Sequence, residues 1–346
     1  MWLTKVETSS PPTCAGPLTE PAAKPSPDLF WSRVRARVET TDTHLPAEQI
    51  RRGRRHGLRT PLPGTWSTVT VPLSLTRSGS GEPLLLLHGM GSSRRDFTAV
   101  LPELRAGFAV LNVDLPGIGE SPHLEQRPTV AAITDAVERT LDKEGVGRVH
   151  VLGNSLGARI ALELALRGRA RSVVAVAPSG LNVPQERLFQ GVGMGMARIV
   201  MRAMDPLIAP LSRSAVGRVA LLAPLKARPW STSPEEAIGA REGFSESRDF
   251  WRTLLWSLML DVPRGLDRIT CPVTLVQGTA DWVASGQTVR YLPLIPGARF
   301  RPLLMAGHAP QSDRPATIAR LVQETAERTT AGPTMAGRME TELAAA

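Results

Sequence analysis

From about residue 83 onward the chain alternates between short, largely apolar runs and longer stretches of helical spacing. The largely apolar runs lie at 83–87, 108–113, 149–152, 173–177, 273–276 and 300–304, with Asn112, His150, Thr274 and Arg301 as their polar members, and helical periodicity appears over 130–141, 156–166 and 316–326. A run with no polar alternation reads as a strand buried on both faces. Strands of that kind alternating with helices predict the α/β class, with a mostly parallel twisted sheet covered by helices on both faces. An edge strand is expected over 67–75, where Val69 and Val71 alternate with Thr68 and Thr70.

The alternation breaks once. Between about 182 and 262 there is no strand pattern, only helical stretches at 194–204, 214–222, 234–242 and 248–260. This predicts a helical cap over 182–262, inserted between core segments 66–181 and 263–330. Residues 1–65 read as a disordered, basic leader with a short amphipathic helix over 28–38, and 331–346 as a flexible tail.

Composition narrows the class. A 346-residue chain with 42% hydrophobic residues can bury a large core. No apolar stretch approaches the roughly 20 residues that span a bilayer. Residues 1–27 hold no apolar signal region, so a cytoplasmic location is expected. Cys14 and Cys271 are expected to be free thiols, and no metal-ligand spacing is present. The net charge of +9 raises the question of nucleic acid, but only four of the 41 basic residues are lysine and the arginines are spread along the chain. The one basic cluster, 51–59, lacks interleaved aromatics and reads as a solvated linker, so no nucleic-acid partner is expected.

The candidate chemistry begins at Gly153-Asn154-Ser155-Leu156-Gly157, directly after the apolar run 149–152. A strand that ends in so tight a turn and feeds a helix projects the Ser155 hydroxyl outward, with Gly153 and Gly157 leaving room where a Cβ would clash. A serine needs a base, and the base needs an orienting acid. Of the histidines, His44 and His56 lie in the leader and linker, His123 in a loop and His150 inside a strand. His308 follows the last core run and fits the base. Asp281 follows the run 273–276, at the carboxyl end of a parallel strand, and fits the acid; Asp261 in the cap and Asp313, read as a cap of the last helix, are the competitors. Leu156 and Met90 are the candidate oxyanion donors, with His88 and Gly89 shaping the loop that carries Met90. The glycine turn 114–121 lacks the spacing of a phosphate-binding loop.

Together, H-G-M-G at 88–91, D-L-P-G-I-G-E-S at 114–121, G-N-S-L-G at 153–157, G-T-A-D at 278–281 and G-H-A-P at 307–310 resemble the α/β-hydrolase superfamily over roughly 66–328. The resemblance implies acyl transfer from an ester or similar carbonyl compound to Ser155 and then to water, with no metal or organic cofactor. The partner it implies is a small apolar ester, thioester or lactone. Asn154 and the helical cap are also similar to hydrolases that split carbon–carbon bonds of aromatic meta-cleavage products. Those usually carry Trp after the catalytic histidine, where this chain has Ala309, and a cap arginine, for which Arg198 and Arg202 are candidates. An acyltransferase or thioesterase reading, and a non-catalytic binding protein, are the other rivals. Ser155 stands where epoxide hydrolases and haloalkane dehalogenases carry Asp, which argues against both. The cap methionines (Met194, Met196, Met201, Met204, Met259) suit either an adaptable acyl pocket or ordinary packing.

Overall fold

Four consecutive leucines, Leu84 to Leu87, are wholly buried and divide between two cores. Leu85 and Leu87 face one and Leu84 and Leu86 the other, as the two-residue period of a strand dictates. They belong to strand β2 (Glu82–Leu87) of a seven-stranded sheet in a computed structural model that describes residues 72–284 and 286–330. The other strands are β1 (Leu75–Ser78), β3 (Phe108–Val113), β4 (Val149–Asn154), β5 (Ala170–Val176), β6 (Val273–Gly278) and β7 (Arg299–Leu303). Their spatial order is β1-β3-β2-β4-β5-β6-β7. Only β1 runs antiparallel, pairing Leu75 with Val113.

One face of the sheet is covered by α1 (Val130–Lys143) and α2 (Leu156–Leu166), which contribute Ile133, Val137, Ile160 and Leu164 to its core. The other is covered by α7 (Pro315–Glu327) together with Phe97, Val100 and Leu104. Between β5 and β6 lie α3 (Pro184–Ala203), α4 (Asp205–Ser212), α5 (Ala215–Leu222) and α6 (Pro234–Ala240). Two π-helical segments follow, Arg241–Glu246 and Leu254–Met259, on either side of the one-turn helix Phe250–Thr253. No helix among the described residues is long and apolar enough to cross a membrane.

The edge strand is displaced from its expected place. Pro72 has no N–H, and the N–H groups of Leu73 and Ser74 go to the hydroxyls of Thr140 and Ser121, so pairing starts only at Leu75. Residues 67–71 lie outside the described residues, as do the leader, the helix expected over 28–38, the cluster 51–59, Cys14, His44, His56 and the tail 331–346. Cys271 is a free, buried thiol whose pKa burial pushes up to about 11.

Helix α3 begins ten residues before the periodicity suggested. Gly191, Gly193 and Gly195 interrupt the apolar pattern, yet the helix runs through them. The buried face of the helix is mixed: Met194 and Met201 join the core, but Arg187 and Arg198 are buried too, while Leu188, Phe189, Val192, Met196, Ile199 and Val200 are exposed. For Arg198 the reason is a contact across the chain. In the π-helical segment Arg241–Glu246 and just beyond it, backbone carbonyls turn toward α3, and the arginines satisfy them. Arg198 donates to the carbonyls of Phe244 and, at 2.9 Å, Ser247; Arg202 donates to Ser245 O at 3.2 Å.

Candidate active site

The strand order reverses direction between β2 and β4, which leaves a crevice at their carboxyl ends. The segments singled out in the sequence are delivered to the carboxyl-end edge of the sheet because each follows a parallel strand: the 88–91 loop follows β2, Ser155 follows β4, Asp281 follows β6 and His308 follows β7.

Ser155 has φ 53° and ψ −111°, a left-handed conformation rare for a residue with a side chain. The turn is held by Ser155 N donating to Val176 O at 2.8 Å and by Arg159 N donating to Ser155 O at 3.1 Å. The flanking glycines have no alternative. A Cβ on Gly153 would lie 2.4 Å from Gly157 O, and one on Gly157 would lie 2.0 Å from Leu87 O. A Cβ on Gly89 would come within 3.2 Å of Ser155 Cβ, so the β2 loop passes directly over the serine. Ser155 precedes α2 but makes no side-chain cap hydrogen bond, so its hydroxyl is not spent on its own helix.

His308 and Asp281 are brought together: Nδ1 of the imidazole lies 2.9 Å from Oδ2 of the carboxylate. Asp281 is fixed from every side. Its Oδ2 also accepts from Gln277 Nε2 at 2.7 Å, and its Oδ1 accepts from Val283 N at 2.8 Å and Ala284 N at 3.0 Å. Burial alone would raise this carboxyl, but the adjacent imidazole and the donors outweigh it and hold the pKa at about 2. For His308 the balance runs the other way: burial opposes the charge, Asp281 more than offsets it, and the pKa lies above the usual histidine value.

The competitors for the acid are engaged elsewhere. Asp261 receives Arg159 Nη2 at 3.3 Å. Asp313 does not cap the last helix. It ends the one-turn helix Pro310–Asp313, and its carboxylate accepts from Gly307 N at 2.8 Å, Ala227 N at 3.0 Å and Arg228 N at 2.9 Å. One buried carboxylate thereby ties the His308 loop to the segment after α5. His308 N also donates to Leu225 O in that segment, at 2.8 Å.

Leu156, the first residue of α2, has a backbone N–H with no partner inside its own helix. It and Met90 line one pocket with Leu115, Pro116, Ile133 and Phe250. His88 is buried behind them. Its Nε2 accepts from Leu115 N at 3.0 Å, which fixes the tautomer, so Nδ1 donates to Gly89 O at 2.8 Å. Desolvation lowers its pKa and keeps the ring neutral, suiting it to bracing the loop. The turn 114–121 is likewise structural: Asp114 accepts from Arg94 N at 2.8 Å, and Gly119 passes too close to that carboxylate for any Cβ. The π-helical segment Arg241–Glu246 rests on the same β2 loop. A Cβ on Gly243 would lie 2.1 Å from Gly91 C, and one on Gly91 would lie 2.3 Å from the Phe244 ring.

Sequence reasoning missed a second pocket. It is lined by Gly89, Met90, Asp96, Asn154, Lys226, Glu236 and His308, among others. Lys226 is buried and donates to Glu236 Oε2 at 2.8 Å. The only signal in the sequence was its rarity, one of four lysines in an arginine-dominated chain. Among the described residues no group of three or more His, Cys, Asp or Glu side chains could hold a metal ion.

Residues 84–321 match the model of the alpha/beta hydrolase family, more than half of the chain, and the chain belongs to that family. It is 29% identical over 197 residues to the epoxide hydrolase EphH of Mycobacterium tuberculosis, covering 56% of this chain and 92% of that protein. It is also 29% identical over 263 residues to a pimeloyl-acyl-carrier-protein methyl ester esterase of Neisseria meningitidis, covering 71% of this chain and 94% of that protein. Among solved structures, an esterase from Thermogutta terrifontis superposes with a TM-score of 0.59 at 22% identity, covering 74% of this chain and 93% of that one. The chain is thus a hydrolase of the α/β fold.

Proposed function

We propose that the chain is a serine hydrolase that cleaves carboxylic esters, or the related thioesters and lactones, of small molecules through an acyl-enzyme. The observation that carries this reading is the His308–Asp281 pair, 2.9 Å apart, which follows parallel strands at the same edge of the sheet as a serine held in a strained turn.

In this reading Ser155 Oγ attacks the carbonyl carbon while His308 Nε2 takes its proton. Asp281 keeps the imidazole in the tautomer with Nδ1 protonated and stabilises the imidazolium without itself taking the proton. The N–H groups of Leu156 and Met90 receive the oxyanion. His308 then protonates the departing alcohol, and the acyl-enzyme is opened by a water that His308 deprotonates. The segment 182–262 serves as a cap, and Leu115, Pro116, Ile133 and Phe250 offer apolar surface to the acyl chain. No step calls for a metal or organic cofactor.

The epoxide hydrolase among the relatives does not alter this reading. Ser155 attacking an epoxide carbon would leave an ether, with no carbonyl through which water could release the product. Carbon–carbon hydrolysis is also disfavoured, because Arg198 and Arg202 donate to backbone carbonyls rather than standing ready for a substrate carboxylate. The methyl ester esterase among the relatives is consistent with ester cleavage.

The test is hydrolysis of p-nitrophenyl esters of rising acyl length by wild type and Ser155→Ala. Turnover that disappears in the variant is the expected result. Turnover that survives it, or no turnover of any ester, would sink the proposal.

A further inference from the structure

A surface helix of a soluble domain ordinarily turns its apolar stripe toward the core. Helix α3 does so only in part. Met194 and Met201 are buried, but so are Arg187, Gln190 and Arg198. Six large apolar side chains, Leu188, Phe189, Val192, Met196, Ile199 and Val200, are left exposed, Phe189 at 70%. At about 100° per residue these six fall within an arc of about 120°, and they run over about 18 Å of helix. The exposure continues into the next two helices, with Leu207 on α4 and Val216 and Val219 on α5, Val216 at 81%. Apolar exposure on this scale marks a surface built to meet a partner.

Charge says which partner. Between 187 and 234 the exposed charged residues are Arg202, Arg213 and Arg228, and no carboxylate is exposed. The carboxylates nearest in the chain are spent on ion pairs. Glu186 Oε2 receives Arg290 Nη1 at 2.6 Å, and Asp205 Oδ1 receives Arg241 Nε at 3.0 Å. Arg202 stands on α3 itself, about 40° outside the apolar arc. A second copy docked on the same stripe would bring like charges against each other, at a cost. The stripe is also wider than the two-in-seven seam through which helices pair as coiled coils. An anionic phospholipid surface matches both features, with acyl chains for the stripe and phosphates for the guanidinium groups. No helix among the described residues is long and apolar enough to cross a membrane, so the contact is of the kind that lies on one.

We infer that the outer face of α3, continued by α4 and α5, is a docking surface for an anionic phospholipid bilayer. Helix α3 lies in the plane of the interface, its stripe at the boundary of headgroups and acyl chains and its arginines among the phosphates.

The test is flotation of the full chain with vesicles of phosphatidylcholine, alone or with about 30% phosphatidylglycerol. The expected result is binding to the anionic vesicles at least about tenfold tighter than to the neutral ones. Phe189→Gln should weaken that binding at least about tenfold, and Ile199→Gln should repeat the loss at an independent position. Arg213→Gln should weaken it about fivefold. All three side chains are exposed, so thermal melts of the variants should match wild type. Equal binding to both vesicles would overturn the assignment to anionic lipid. Binding that survives both glutamine substitutions on α3 would place the lipid contact elsewhere, such as the basic cluster 51–59, and overturn the surface. No binding to either vesicle would overturn it too. A dimer in sedimentation velocity that Phe189→Gln dissociates, with no vesicle binding, would make the face a contact between copies instead.

Discussion

His308 Nδ1 lies 2.9 Å from Asp281 Oδ2, and the other oxygen of that carboxylate is held by the backbone N–H groups of Val283 and Ala284. Asp281 is thus locked in place independently of His308. Its pKa of about 2 keeps it ionised throughout the working range. Asp281→Asn should leave the protein folded but lower kcat by about 10⁴-fold, because the amide no longer enforces the tautomer. Steady-state kinetics beside a thermal melt checks this.

The same pair sets the pH dependence. In the proposed mechanism His308 must be neutral to take the serine proton, and Asp281 raises its pKa above the ordinary 6.5. The acid limb of kcat/KM should therefore have its midpoint above pH 6.5, with activity lost as pH falls through it. Any residual activity of Asp281→Asn should show that limb shifted to lower pH, since the carboxylate that outweighs burial is then gone and only the weaker pull of Asp96 remains. A limb that stays in place would contradict the assignment.

The turn at Ser155 stores strain that a substitution can release. Ser155→Gly can occupy φ 53° freely, whereas Ser155→Ala cannot. The glycine variant should melt higher than the alanine variant, by an amount equivalent to about 1 kcal/mol after the entropic cost of glycine. Calorimetry on the two inactive variants is the comparison.

Gly157→Ala should fail differently. Its new methyl would meet Leu87 O at 2.0 Å, backbone against backbone, with no side chain to move aside. A loss of more than about 3 kcal/mol is expected, or no folded protein at all. A denaturant melt close to wild type would show that the elbow packs less tightly than described.

Asp313→Ala removes the acceptor for three backbone N–H groups, on Gly307, Ala227 and Arg228. Stability should drop by about 2–4 kcal/mol, and kcat should fall more than KM rises, because the loop bearing His308 loses its anchor. An unchanged kcat in folded Asp313→Ala would show that the anchor does not position the base.

Much of this arrangement could be read from the chain, and the reasons are specific. The runs at 108–113 and 156–166 coincide with β3 and α2, because strands buried on both faces and helices packed on them leave unambiguous patterns. Asp281 and His308 stood out because each comes within a few residues of a strand-like run, and parallel strands deliver such residues to one edge. What did not show was long-range. Nothing near Asp313 announces that its partners are 85 and 86 residues away, and nothing near Lys226 points to Asp96. The early start of α3 was hidden by glycines at 191, 193 and 195, and its buried Arg198 is explained by carbonyls more than 40 residues downstream.

The central claim is that Ser155 carries the acyl group. Rapid quenching of the enzyme with p-nitrophenyl butanoate, followed by mass spectrometry of the peptide containing Ser155, tests it most directly. The account predicts one butanoyl group on that peptide, formed at the rate of the nitrophenol burst and absent from Ser155→Ala. Full turnover with no acylated peptide, or acylation that persists in Ser155→Ala, would contradict it.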